Sequence, residues 1–80
     1  MELNERLREA RTEKGFTQSY IAKKLGLETY QFWSDVERNK CALPPRHFKK
    51  VAKVLGIRLE EMVELYVNDK ANSLYDELGI

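Results

Sequence analysis

The stretch Phe16-Thr17-Gln18-Ser19-Tyr20-Ile21-Ala22-Lys23-Lys24-Leu25-Gly26-Leu27 decides the fold. It reads as a helix closed by a glycine turn. Thr17 is a good N-cap, because its hydroxyl accepts from a free backbone N–H of the first turn. Phe16 before the cap and Ile21 four residues after it are spaced as a hydrophobic staple. Ile21, Ala22 and Leu25 fall on one inner face, and Gly26 suits the left-handed C-terminal turn. A further helix is expected from about Thr29, another N-cap residue, to about Arg38. Its inner stripe is Trp33 and Val36, with Glu37 on that same side.

Upstream, a helix is expected from about Asn4 to Lys14, ended by Gly15. Leu3, Leu7 and Ala10 form its apolar stripe, and Arg11 follows Leu7 by four residues on that face. Arg11 and Glu37 are thus charges placed where helices bury apolar surface. An unpaired buried charge is very costly, so the two are expected to form a structural ion pair.

Downstream, Asn39 to Leu43 reads as a loop, and Pro44 and Pro45 open a fourth helix, since proline suits a first turn. Phe48, Val51, Ala52 and Leu55 are its stripe, and Gly56 ends it. A fifth helix carries Leu59, Met62, Val63 and Tyr66. The tail from Asn68 to Ile80 has Ala71, Leu74, Tyr75 and Leu78 at helical spacing, which suits a short sixth helix or a segment that folds on a partner. No stretch alternates with period two for long enough to be a strand. The expectation is an all-α fold of five helices, with residues 1–67 as the domain and 68–80 as a C-terminal tail.

Eighty residues make one domain, and a hydrophobic fraction of 42% supports a small core. The single Cys41 leaves no partner for a disulfide and no cysteine-rich zinc site. No signal peptide or membrane span is visible, so a cytoplasmic location is expected. The net charge of +1 hides an asymmetry. Residues 1–59 carry thirteen Lys and Arg against seven Asp and Glu, an excess of six positive charges. Residues 60–80 carry one Lys against six acids, an excess of five negative charges. A basic body with an acidic end suits a polyanion on one surface and a different partner on the other.

The run from Leu7 to Tyr66 resembles the Cro- and phage-repressor-like helix-turn-helix family, also called the xenobiotic-response-element family. The matching residues are Leu7-Arg8-Glu9-Ala10-Arg11, Gly15-Phe16-Thr17-Gln18, Ile21-Ala22-Lys23-Lys24-Leu25-Gly26, Val36-Glu37-Arg38-Asn39-Lys40 and Val51-Ala52-Lys53-Val54-Leu55-Gly56-Ile57. The resemblance implies a five-helix, lambda-repressor-like domain, binding to operator DNA and a dimeric state. Two departures stand out. Gly26 to Glu37 is one residue longer than the commonest family spacing, as in a phage-type subset with a sequence like Gln31-Phe32-Trp33-Ser34. The residue after Arg38, often Gly in the family, is Asn39, which tolerates the left-handed conformation.

Helix-turn-helix proteins lay the second helix of the motif in the major groove. With Trp33, Val36 and Glu37 inside, Tyr30, Gln31, Ser34 and Asp35 face outward as candidate base contacts. Gln31 suits adenine, whose N6 and N7 take a bidentate amide. Tyr30 suits a thymine methyl or a phosphate, and Ser34 a base or the backbone. Asp35 would accept from cytosine N4 or reject wrong sites. Gln18, at the first turn of its helix, is a candidate phosphate contact. Arg38, Asn39, Lys40 and Arg46 lie where the family's backbone clamp lies. Each of these residues also has an ordinary reading as a solvated surface group. Trp33 reads as core rather than as a base-stacking platform, Phe32 as padding of the turn or a thymine contact, Cys41 as inert, and His47 as a surface or packing residue.

No metal-ligand cluster, Gly-rich phosphate loop or nucleophile beside a base points to an enzyme, and no cofactor is implied. The sequence therefore reads as a DNA-binding transcriptional regulator of the dimeric repressor type, with double-stranded DNA as partner. Leu65, Val67, Leu74, Tyr75 and Leu78 exceed what the core needs, and Leu65, Leu74, Tyr75 and Leu78 are the expected dimer interface. The alternative is an antitoxin or other interaction module on the same fold, holding a protein partner through its acidic C-terminal segment.

Overall fold

A computed structural model describes all residues from Met1 to Ile80. Five α-helices follow one another: α1 (Leu3–Glu13), α2 (Gln18–Lys24), α3 (Gln31–Glu37), α4 (Phe48–Leu55) and α5 (Leu59–Leu78). A 3-10 turn, Pro45–His47, leads into α4. The fourth helix thus opens through a tighter turn, with Pro45 at its first position. There are no strands, as the period-two test predicts.

The expected stripes build the core. Leu7, Ile21, Trp33, Val36, Val51 and Met62 are all but completely buried, and each large apolar side chain so placed contributes about 1.5–3 kcal/mol. α1 and α2 both pack on α3, while α4 and α5 close the other side and α5 also touches α1. The rings of Phe48 and Tyr66 meet in a T-shaped arrangement at a centroid distance of 5.3 Å, joining α4 to α5. Leu43 and Ile57, both outside the predicted helices, are also core residues. Loop residues that precede and follow α4 thereby become packing elements.

Local signals hold at most helix ends. The Thr17 hydroxyl accepts from the Tyr20 N–H at 3.0 Å. Gly26 has φ 74°, and around it Leu27 N–H bonds Ala22 C=O while Gly26 N–H bonds Lys23 C=O, the two bonds of a Schellman cap. Thr29 is not the cap of α3. Tyr30 takes that place without a side-chain hydrogen bond, and its carbonyl accepts the first helical bond from Ser34 N–H.

Two expectations change along α5. The segment from Asn68 onward is not a separate sixth helix or a loose tail. It continues α5 without a break to Leu78, for 20 residues in all. No glycine or proline interrupts residues 59–78, so nothing terminates the helix at Val67. Val63, expected in the inner stripe, is half exposed. Met62 and Tyr66 set the inward phase, and Val63 is turned 100° from Met62.

Candidate nucleic-acid interface

The site rests on how α3 is anchored. Its inner side presents Trp33, Val36 and Glu37, all buried. Glu37 is the single charged residue in the core, and it is fully paired. Arg11 reaches it with two prongs, Nε to one carboxylate oxygen at 2.5 Å and Nη2 to the other at 3.0 Å. A third donor on Arg11, Nη1, bonds the Phe16 carbonyl at 2.7 Å, so the same guanidinium holds the entry to α2. The Trp33 indole N–H and the Gln18 amide also donate to Glu37, the latter at 3.1 Å. Arg8, more than half exposed, lies 3.6 Å away as a second cation. Burial pushes the Glu37 carboxyl up, but the hydrogen bonds from Arg11, Gln18 and Trp33 outweigh it and hold the group below its ordinary value.

This junction ties α1, α2 and α3 into one rigid unit. The Asn4 amide adds a bond to the Glu37 carbonyl at 3.0 Å, which satisfies a free acceptor at the end of α3. Sequence reading finds the Arg11–Glu37 pair because both residues break an apolar stripe. It misses the Gln18, Trp33 and Asn4 donors. Gln18 and Glu37 are 19 residues apart and share no periodicity, so no sequence signal connects them.

The opposite side of α3 is open. Gln31 and Tyr30 are exposed, while Ser34 and Asp35 are partly exposed. All four predicted base contacts thus lie at the surface, at the start and along the outer side of α3. They are not independent of one another. Gln31 Nε2 donates to Asp35 Oδ1 at 3.0 Å, and Arg38 Nη2 donates to the same oxygen at 2.9 Å. The Gln31 hydrogen bond, with that of Arg38 and the nearby charges of Arg38 and Lys40, keeps the Asp35 carboxyl below its ordinary value. Asp35 is therefore ionised at neutral pH and acts only as an acceptor.

The predicted phosphate contacts divide into two groups. Arg38, Asn39, Lys40 and Arg46 are all exposed, on the end of α3 and the segment that leads into α4. Asn39 has φ 60°, the left-handed conformation its residue type tolerates. It lets Lys40 N–H turn back onto the Asp35 carbonyl at 2.8 Å, so Lys40 is fixed relative to α3. Gln18 differs. Its amide is turned toward Glu37, and the residue is only partly exposed. Phe32 packs against the core edge, and Trp33 is wholly core.

The outer side of α5 carries a second surface. Val63, Val67, Leu74 and Leu78 are each about half exposed and share one stripe by helical spacing, with Tyr75 at its flank. Leu65 does not belong with them. It is partly buried against the domain's own core, unlike the half-exposed residues of that stripe.

The helix-turn-helix family matches the chain over residues 7–62, well over half its length and the whole of the α2–α3 unit. The chain belongs to the Cro/C1-type helix-turn-helix family. No curated protein and no solved structure matches it. Membership makes this a DNA-binding helix-turn-helix regulator on a small domain of lambda-repressor type. In helix-turn-helix proteins generally the second helix of the motif enters the major groove, and α2 and α3 are consecutive short helices within the matched stretch. No helix is long and apolar enough to cross a membrane.

Proposed function

We propose that this helix-turn-helix protein is a sequence-specific transcriptional repressor that binds operator DNA as a homodimer. The observation that carries the reading is the two-sidedness of α3. Trp33, Val36 and Glu37 lock its inner side, which leaves Gln31 and Ser34 in a row on a rigid outer surface. Rigid placement matters, because base readout needs hydrogen-bonding groups held at fixed positions in the groove. Tyr30 sits at the leading end of this row and is half exposed. Arg38, Lys40 and Arg46 supply positive charge beside it for phosphates, and Asn39 contributes backbone and amide donors. The Gln18 amide has one hydrogen left after its bond to Glu37, which suits a phosphate near the start of α2.

The homodimer is read from α5. Its half-exposed apolar stripe lies on an acidic segment that DNA repels, so the stripe belongs away from the operator. A two-fold pair of such helices would bury Leu74 and Leu78 against their copies, with Tyr75 at the edge. Two recognition helices would then face successive major grooves about 34–36 Å apart.

Selection of bound duplexes from a random library by the full chain tests this reading. The expected product is a pair of inverted half-sites one helical turn apart, bound in a strongly salt-dependent way. Recovery of unrelated sequences at every salt concentration would overturn sequence-specific binding. A single unpaired half-site, bound by one protein chain, would overturn the homodimer.

A further inference from the structure

Gln31, Asp35 and Arg38 occupy positions i, i+4 and i+7 along α3 and its C-cap, with Gln31 and Arg38 exposed and Asp35 partly so, and all three share one side of the helix. Asp35 Oδ1 receives both neighbours, Gln31 Nε2 at 3.0 Å and Arg38 Nη2 at 2.9 Å. A carboxylate in a major groove lined by phosphates is ordinarily a liability, and only cytosine offers it a donor. Here one carboxylate oxygen, Oδ1, is engaged twice within the protein, and Arg38 offsets the charge.

Asp35 also resolves an ambiguity in Gln31. A free glutamine carboxamide presents its oxygen or its nitrogen to a given direction with similar ease. An ionised carboxylate only accepts, so the nitrogen end must face Asp35. That leaves the Gln31 oxygen and the second N–H of its nitrogen unused. These are one acceptor and one donor, the pair that matches adenine N6–H and N7. Fixing the amide before binding also lowers the entropy lost when a long exposed side chain is ordered at an interface.

We propose that Asp35 is a specificity-determining positioning residue, which orients the Gln31 carboxamide for bidentate reading of an adenine and makes no base contact itself. The proposal rests on Gln31 being a base contact. It separates two roles on one helix side: Gln31 touches the base, and Asp35 decides which way the amide points. Asp35 therefore contributes to discrimination between sites while weakening attraction to DNA in general.

The test is a selection from random duplexes, followed by affinity measurements on the best site and on random DNA. The proteins are the full chain and its Gln31→Ala, Asp35→Asn, Asp35→Ala and Gln31→Ala/Asp35→Asn variants, each checked for native helicity by circular dichroism. Gln31→Ala identifies the base pair that Gln31 reads, through a loss of preference there of about tenfold or more. Asp35→Asn keeps the size of the side chain but removes its charge, so the neutral amide holds the Gln31 nitrogen less firmly, and Asp35→Ala removes the acceptor altogether. Both Asp35 variants are expected to lose at least about threefold of the preference at that same base pair. They should bind random DNA equally well or more tightly, because one negative charge is gone. Added to Gln31→Ala, Asp35→Asn should cost no further preference at that pair.

Should Asp35→Ala fail to fold, Asp35→Asn decides the matter alone. Loss of preference at a base pair that Gln31→Ala leaves untouched would show that Asp35 reads a base itself, and overturns the proposal. Unchanged preference in Asp35→Asn, or equal weakening on specific and random DNA, overturns it as well. Gln31→Ala with every base preference intact overturns both this proposal and the base-contact reading beneath it. An Asp35→Asn variant that keeps preference while Gln31→Ala loses it overturns this proposal alone.

Discussion

Arg11 and Glu37 join as a fork, with the guanidinium Nε and Nη2 on the two carboxylate oxygens at 2.5 and 3.0 Å. Arg11 is nearly buried and Glu37 wholly so. Removing either partner strands the other's charge, so Arg11→Met or Glu37→Gln is expected to cost about 3 kcal/mol. Glu37→Gln also turns an amide N–H toward the Arg11, Gln18 and Trp33 donors. The double variant should cost less than the sum of the two. Urea midpoints for the four proteins of the cycle measure this, and additive costs would show that the two residues do not couple.

Acid sensitivity follows from the same junction. The Glu37 carboxyl titrates below its ordinary value in the folded protein, so the unfolded chain binds a proton there more readily. Its contribution to stability is complete above the ordinary glutamate pKa of about 4.3 and is lost as pH falls toward the folded value. Unfolding midpoints from pH 7 to pH 3 should therefore fall less steeply for Glu37→Gln than for the unmodified chain. Parallel curves would remove Glu37 as a cause of acid unfolding.

Base and phosphate contacts are expected to respond differently to truncation. Gln31→Ala should lose about 1–3 kcal/mol on the selected site and relax one base pair. Lys40→Ala should weaken specific and random DNA alike and reduce the slope of log affinity against log salt by about one. Equal effects of the two changes on both kinds of DNA would overturn the division.

The end of α3 offers a backbone test. Asn39 has φ 60°. Asn39→Gly should leave thermal stability equal or higher, because glycine adopts that conformation without steric cost. Asn39→Val should lower it by about 1–2 kcal/mol, and Lys40 would lose its fixed relation to α3. Equal melting temperatures for the valine and glycine variants would show that the turn relaxes.

The dimer reading is tested on the far part of α5. A cut at residue 68 would confuse the result, because the Asp69 carboxylate accepts from Leu3 N–H at 3.1 Å and helps hold α1. Ending the chain after Ala71, or introducing Leu74→Glu with Leu78→Glu, spares that bond. Either change is expected to weaken self-association and operator binding together while the domain stays folded. Sedimentation with parallel thermal melts reads both. A full chain that is monomeric at tens of micromolar and binds DNA no better than the altered ones would exclude the dimer. Capture of a basic protein partner through this segment, with no operator binding, would instead favour the antitoxin alternative.

The sequence by itself determined the five helices, most of their ends and the inner side of each. Those features depend on neighbours three or four residues apart, on Thr17 as a cap and on Gly26 as a terminator, all of which are local. It also exposed the Arg11–Glu37 pair, because a charge within an apolar stripe demands a partner. Tertiary structure decided what depends on distance through space. It brought Gln18, Trp33 and Asn4 to Glu37, drew Leu43 and Ile57 into the core, and moved the cap of α3 from Thr29 to Tyr30. Residues 59–78 carry no breaker, yet two apolar phases overlap along them, and only packing on α1 and α4 settled which phase faces in. That choice buried Met62, sent Leu65 toward the core and left Val63, Val67, Leu74 and Leu78 outside. The link from Gln31 through Asp35 to Arg38 has ordinary helical spacing, but rotamers chosen in three dimensions turned three polar residues into one connected row.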